Sequence, residues 1–214
     1  MKKDEMLFQI GAIVKEEWTH IPLKAGSVSS GEKLSKLEAL EKVCAGCTKC
    51  GLYKTAKNLV FYDGNPDSSI VFIGEAPGAD EDEQGKPFVG RAGKLLTRTI
   101  EKSHFSRSDV YICNILKHRP PENRNPLPDE IEACSPYLVE QLSIIKPKII
   151  VTLGNFSTKF ILSTDEGITK LRGSIMTSPA GYSVIPAYHP AAVLRNPNLT
   201  PDLENDIKKA LMLM

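Results

Sequence analysis

The chain has 214 residues, 41% of them hydrophobic and 25% charged, and its formal net charge is +1 at pH 7. This length suits one domain with a substantial core, and the composition is that of an ordinary globular protein. A nearly neutral chain has no global field that attracts nucleic acid, so such a contact needs a local cluster of positive charge. No apolar run reaches the length of about 18 residues that a membrane span needs, and acidic residues interrupt the N-terminal apolar stretch. We therefore expect a cytoplasmic monomer without membrane contact.

The first 30 residues are predicted to form an extension. Apolar residues recur with helical spacing between Met6 and Trp18, which indicates an amphipathic helix over residues 2–19. Residues 21–31 are rich in Gly, Ser and Pro and are typical of a linker. The main domain is then expected to span residues 31–214.

Beyond the linker, helical and strand-like patterns alternate. A helix is predicted over residues 31–46, with Leu34, Leu37, Leu40 and Val43 on one face. Four runs rich in β-branched residues predict strands at 69–74, 109–114, 148–154 and 183–189. Helical patterns follow at 91–103, 128–145, 155–163 and 202–213. This alternation indicates an α/β fold, a three-layer α/β/α sandwich with a central, mostly parallel four-stranded sheet.

Ligands of such sheets bind at the carboxyl ends of the strands. The segment GEAPG (74–78), Asn114, Gly154 and His189 follow or end the four predicted strands. Asn114 carries an amide that both donates and accepts, as reading the edge of a pyrimidine requires, although a strand-end asparagine also commonly forms turns. The alternative interpretation of His189 is a purely structural role.

Two further segments stand out. Residues 74–93 form a glycine-rich, acidic stretch that lacks the Gly-Lys-Ser/Thr of a phosphate-binding loop. The chain also has five cysteines, three of them within seven residues: Cys44, Cys47, Cys50, Cys113 and Cys134. An odd number of cysteines in a reducing compartment favours a metal or cluster site over a disulfide framework.

Together these segments resemble the family 4 uracil-DNA glycosylases of the uracil-DNA glycosylase superfamily. The matching motifs are Cys47-Thr-Lys-Cys50, GEAPGADEDEQGKPFVGRAGKLL, Asn114 with LKHRPPENRNP, Cys134 and YHPAAVLRNP. The resemblance implies an enzyme that flips uracil out of DNA and hydrolyses its N-glycosidic bond, which leaves an abasic site for base excision repair. It also implies a [4Fe-4S] cluster.

The resemblance assigns a role to each matching residue. Phe88 is expected to stack on the uracil, Asn114 to bind its edge and His189 to donate a hydrogen bond to the leaving base. Glu75 and Glu81 match carboxylates that are implicated in activity. Ala76 lies in the uracil-binding loop, where a related branch has an aspartate that activates water, so which carboxylate serves here stays open.

The DNA contacts are also predicted. Arg195 is expected to hold a phosphate, with Arg119 as a second basic contact. Val193 and Leu194 are the candidates for the apolar wedge that fills the space of the flipped base.

The cysteine motif departs from the family at one position. The family has a cysteine in Lys-Cys-Arg-Pro-Pro, and this chain has His118 there, sixteen residues before Cys134. Histidine replaces cysteine on some iron–sulfur clusters. The predicted ligands are therefore Cys47, Cys50, His118 and Cys134. Cys113 and Cys44 are alternatives for the fourth position, and zinc is an alternative metal.

Two other classes of protein are considered. Some relatives trap uracil-containing DNA covalently through a histidine on a long basic insertion, but the segment after Arg119 is short and contains no second histidine. An electron-transfer protein would use the cluster without needing Phe88, Asn114 and His189 together.

Overall fold

A computed structural model of the chain describes residues 29–214. The predicted N-terminal helix, and all of the extension except its last two residues, lie outside this part. Its helices are α1 (Ser30–Ala45), α2 (Ala79–Gln84), α3 (Arg91–Glu101), α4 (Pro128–Ile145), α5 (Asn155–Leu162), α6 (Ile168–Leu171), α7 (Pro190–Arg195) and α8 (Thr200–Leu211). None of the helices within residues 29–214 is both long and apolar enough to cross a lipid bilayer.

The central sheet has six strands. They are β1 (Asp63–Gly64), β2 (Ile70–Gly74), β3 (Tyr111–Asn114), β4 (Ile149–Leu153), β5 (Met176–Thr177) and β6 (Ser183–Ala187), in the order β1-β3-β2-β4-β6-β5. The four central strands are parallel, and the two edge strands are antiparallel to their neighbours. The predicted α/β fold and its parallel core are confirmed, but the count of four strands is wrong. Each missed edge strand has only two residues, which is too few to show the alternation of side chains that marks a strand.

The sheet separates two apolar cores. Successive side chains of a strand point to opposite faces. Accordingly, Val71 and Ile73 pack in one core and Ile70 and Phe72 in the other. Helices α1 and α4 cover the first core, while α3 and α8 cover the second. Because both faces are covered, the β2 strand is buried along its whole length.

The buried face of α1 is narrower than the predicted one. Leu37 and Cys44 are the residues of this helix that are fully buried, whereas Leu34 and Val43 are 43% and 64% exposed. Cys44 lies seven residues after Leu37, which is about two turns, so the two share a face. Val43 is about 100° away around the helix. Leu40 is partly buried against the same core, so the predicted face has the right centre, and only its outer members Leu34 and Val43 stay exposed.

Candidate active site

A cleft of about 460 Å³ lies at the carboxyl ends of the parallel strands. Glu75 follows β2, Asn114 ends β3, Gly154 follows β4 and His189 follows β6, and all four line the cleft. The expectation that these strand ends meet at one edge of the sheet is confirmed. Ala76 and Phe88 line the same cleft.

Asn114 presents an unpartnered acceptor to this cleft. The residue is 1% exposed, and its Oδ1 atom is buried with no hydrogen-bond partner among residues 29–214. A buried acceptor without a donor costs about 1–3 kcal/mol, so such an atom is unusual in a folded protein. Gly74 leaves room for this atom, because a Cβ there would lie 2.3 Å from that oxygen.

Phe88 is held in a strained conformation beside Asn114. Its φ of 53° is a left-handed backbone angle that costs a non-glycine residue on the order of 1–3 kcal/mol. A Cβ at Gly74 would also lie 2.6 Å from the Cζ atom of Phe88, so this glycine lets the ring approach β2 closely. The ring centroid lies 5.7 Å from that of His189.

Arg107 fixes the strained segment. Its guanidinium donates to the carbonyl oxygens of Phe88 at 3.0 Å and Pro87 at 2.6 Å, and to the Asp63 carboxylate at 2.7 Å. One side chain therefore binds two successive carbonyls and the β1 strand. Sequence reasoning missed this residue, because Asp63 is 44 positions away and neither residue belongs to a recognisable motif.

Replacing Arg107 with methionine should destabilise the fold by about 2 kcal/mol, because two carbonyls and a carboxylate lose their donor. For a domain of this size the melting temperature should fall by roughly 4–8 °C. Calorimetry measures this change, and Arg98→Met, an exposed position on α3, is the matched control. Equal melting temperatures for the two variants would contradict the role of Arg107.

Glu81 organises the loop that carries Phe88. Its carboxylate accepts hydrogen bonds from the backbone amides of Val89 at 2.9 Å, Gly90 at 2.8 Å and Gly78 at 3.2 Å. Because it binds all three amides, this carboxylate holds the two ends of the 78–90 segment together. The structure therefore gives Glu81 a positioning task, while Glu75, half-buried on the other side of Pro77, lines the same cleft.

His189 is the N-cap residue of α7. Its Nδ1 atom accepts a hydrogen bond from the Ala191 amide at 3.1 Å, so Nε2 carries the ring proton. Burial, with a smaller contribution from the nearby Arg195 guanidinium, lowers the pKa of His189 to about 4. The imidazole is therefore neutral at physiological pH and donates through Nε2.

The residues predicted to contact DNA separate into exposed and buried ones. Arg195 is exposed at the rim of the cleft, Leu194 is half-buried, and Arg119 is half-buried with its Nε donating to Asn123 at 2.8 Å. Val193, by contrast, is 2% exposed and packs in the core. The structure thus leaves Leu194 as the wedge candidate and removes Val193.

A second candidate site lies on the α1 side of the sheet, where four cysteines are neighbours. All five cysteines of the chain are free. Burial raises the pKa of Cys44 to about 12, with further contributions from the adjacent Cys134 and Cys47 thiols. Burial likewise raises the pKa of Cys134 to about 11, and the nearby Cys50 and Cys47 thiols raise it further. Within residues 29–214, however, no three His, Cys, Asp or Glu side chains converge closely enough to hold a single metal ion.

A fully buried lysine lies beside these cysteines. Lys117 is 0% exposed, and its Nζ atom donates to the Asn114 carbonyl at 2.7 Å and to Gln141 Oε1 at 2.5 Å. Its backbone amide donates to the Cys134 sulfur at 3.2 Å. No carboxylate of the described residues pairs with this ammonium group. A buried cation needs an anion nearby, and thiolates of a metal cluster would supply that charge.

Comparison with known proteins gives a consistent result. A model of the Uracil DNA glycosylase superfamily matches residues 61–212. The Type-4 uracil-DNA glycosylase of Sulfurisphaera tokodaii is 48% identical over 184 residues, which cover 82% of this chain and 84% of that protein. The proteins of the same name from Archaeoglobus fulgidus and Thermotoga maritima are 45% and 44% identical, covering 82% and 81% of this chain and 92% of each relative.

Proposed function

The chain belongs to the uracil-DNA glycosylase superfamily and, within it, to the type-4 uracil-DNA glycosylases, and we propose from its site how it excises uracil from DNA. The enzyme hydrolyses the N-glycosidic bond of a flipped nucleotide, which releases uracil and leaves an abasic site for repair. The observation that carries the proposed site is the buried Oδ1 atom of Asn114, which has no partner among residues 29–214.

Asn114 discriminates between uracil and cytosine. The N3–H group of uracil is a donor, and it satisfies the unpartnered Oδ1 atom when the base enters the cleft. Cytosine presents an acceptor at the same ring position, so two lone pairs would face each other. The buried oxygen would then stay unsatisfied and the complex would lose the free energy of that hydrogen bond.

His189 stabilises the leaving base. Breaking the glycosidic bond leaves negative charge on the uracil ring, and a fixed donor near a ring oxygen stabilises that charge. The bond from Ala191 to Nδ1 sets the tautomer, so the Nε2 proton is aimed away from the helix. The Phe88 ring, which is close to the imidazole, supplies the flat surface on which the base stacks.

Glu75 is the carboxylate that we assign to the sugar side of the reaction. The departing uracil leaves oxocarbenium character on the sugar, which nearby negative charge stabilises. Glu81 also lines the cleft, but its oxygens accept three backbone hydrogen bonds, so its contribution is to hold the loop. Ala76 has no group that activates water.

The DNA backbone is proposed to lie along the rim of the cleft. Arg195 is exposed there and binds a phosphate, with Arg119 as a second basic contact. Leu194 precedes Arg195 on the short α7 helix and fills the space that the flipped base vacates. Since His189 caps the same helix, the base donor and the DNA contacts are fixed by one element.

A [4Fe-4S] cluster is the cofactor that we propose. Cys47 and Cys50 follow α1 and Cys134 lies on α4, so a cluster bound to them cross-links these segments. A tetrahedral zinc ion at about 2.3 Å from each sulfur needs four converging ligands, whereas each thiolate of a cubane binds a different iron. The proximity of Cys47 and Cys50 to Cys134, and the buried Lys117 beside them, support the cluster.

Incubation of the purified protein with uracil-containing DNA tests the function. We expect free uracil and an alkali-labile abasic site, and no product from the same DNA with cytosine at that position. A stable protein–DNA adduct without free uracil would instead identify a covalent trap. The absence of both products would contradict the enzyme assignment altogether and leave only a redox or structural use of the cluster.

A further inference from the structure

One member of the predicted ligand set departs from the family motif. Three cysteines match the family motif, and His118 stands where the fourth cysteine is expected. Building on the proposed cluster, we propose that Cys44 is its fourth ligand, so that Cys44, Cys47, Cys50 and Cys134 form an all-thiolate site and His118 is not a ligand.

The placement of Cys44 on α1 supports this assignment. Cys44 is on the buried face of the helix, 1% exposed, in the same core as Cys134 of α4. Its carbonyl accepts a hydrogen bond from the Cys47 amide at 3.0 Å, which turns the chain directly from Cys44 toward the family motif. Cys44 thus lies in the last turn of α1, three residues before the first of the two cysteines that follow this helix.

The four thiols are close neighbours of one another and form one group. Cys44 lies close enough to Cys134 and Cys47 for their charges to act on it, and Cys134 has the same relation to Cys50 and Cys47. Tyr137, one turn after Cys134 on α4, hydrogen-bonds the Cys47 thiol. Every one of the four cysteines therefore has at least one of the others as a neighbour.

His118 has a different environment. The charge that acts on its half-buried imidazole is the carboxylate of Asp82 on α2. That carboxylate also accepts hydrogen bonds from the backbone amides of Lys57 at 2.9 Å and Asn58 at 3.2 Å. His118 is therefore placed against the α2 side of the fold, where it neighbours a carboxylate that braces the 57–58 segment.

Cys113 is the remaining alternative, and its surroundings argue against it. It is 0% exposed in the middle of β3, where its Cα pairs with Ile73 of β2. The Lys117 ammonium and the Tyr111 phenol are its electrostatic neighbours among the described residues, and neither is a thiol. A strand residue held on both sides by the sheet cannot shift toward a cluster without breaking the β2–β3 ladder.

The first test uses the intact wild-type protein. After anaerobic reconstitution with iron and sulfide, the reduced cluster is examined by pulsed electron paramagnetic resonance. An all-cysteine site shows no strongly coupled nitrogen, whereas a histidine ligand gives a large ¹⁴N coupling. Detection of that coupling would overturn the proposal. Failure of the protein to bind iron and sulfide would overturn the cluster itself, while uracil release in the excision assay would still stand.

The second test compares three single variants by iron and sulfide content per chain and by visible absorbance. Cys44→Ser should lose most of its cluster, while Cys113→Ser, the matched buried-cysteine control, and His118→Ala should retain it. Circular dichroism at matched temperature shows that each variant is folded. Loss of the cluster in His118→Ala together with its retention in Cys44→Ser would contradict the assignment.

Discussion

The Asn114→Ala variant is expected to excise uracil about a hundredfold or more slowly than the wild type under single-turnover conditions. The substitution removes a buried oxygen that, in the proposed complex, accepts a hydrogen bond from the base. Because that oxygen has no partner among residues 29–214, its removal eliminates no hydrogen bond within them. We therefore expect little loss of thermal stability, an outcome that separates a recognition residue from a structural one.

A second asparagine provides the control for Asn114. The Oδ1 atom of Asn65 accepts a hydrogen bond from the Asp67 amide at 2.9 Å in a loop beside β1. Asn65→Ala should lower the melting temperature and leave the excision rate per folded molecule unchanged. Excision by Asn114→Ala within about threefold of wild type would remove Asn114 from base recognition.

His189→Ser is expected to lower the single-turnover rate by about a hundred- to a thousandfold, the usual effect of losing a preorganised donor. Serine is the informative replacement, because it is a favoured N-cap residue and keeps α7 capped. DNA affinity should therefore change far less than the rate. Rapid-quench kinetics and a binding titration on the same variant measure the two quantities.

The pH dependence of His189 gives an independent check. Its pKa of about 4 is below the ordinary value of 6.5, so the folded protein binds fewer protons at this site than the unfolded chain between these limits. The contribution of His189 to the free energy of unfolding is therefore fully present above pH 6.5, and it is lost as the pH falls toward 4. The His189→Ser variant should lose this contribution and keep that of His118, whose pKa is also lowered by burial, and the exposed His104→Ser should retain both. A wild-type rate that falls with an apparent pKa near 6.5 would contradict the neutral donor.

The catalytic edge could be read from the sequence because parallel strands have a simple signature. Continuous apolar runs located β2, β3, β4 and β6, and the rule that ligands bind at their carboxyl ends then brought Asn114 and His189 together. Both inferences depend on local patterns. They needed no knowledge of which side chains meet across the fold.

Features that depend on contacts between residues far apart in the chain could not be predicted from the sequence. Arg107 contacts Pro87 and Phe88 across the whole length of α3, which separates them in the chain. The burial of Lys117 was also missed, since a lysine among basic residues is ordinarily interpreted as a surface charge. The exposure of Leu34 and Val43 depends on how much of α1 is covered by α4, and the spacing of leucines could not show it.

The left-handed backbone at Phe88 limits how this pocket can diverge. A residue with a φ of 53° cannot be replaced by valine, isoleucine or threonine without a steric clash, so the small β-branched side chains that would widen the pocket are excluded. Asparagine and glycine suit that backbone but offer no aromatic face. Adaptation to bulkier damaged bases, whether by natural drift or by laboratory selection, is therefore limited at position 88 to side chains that tolerate this backbone.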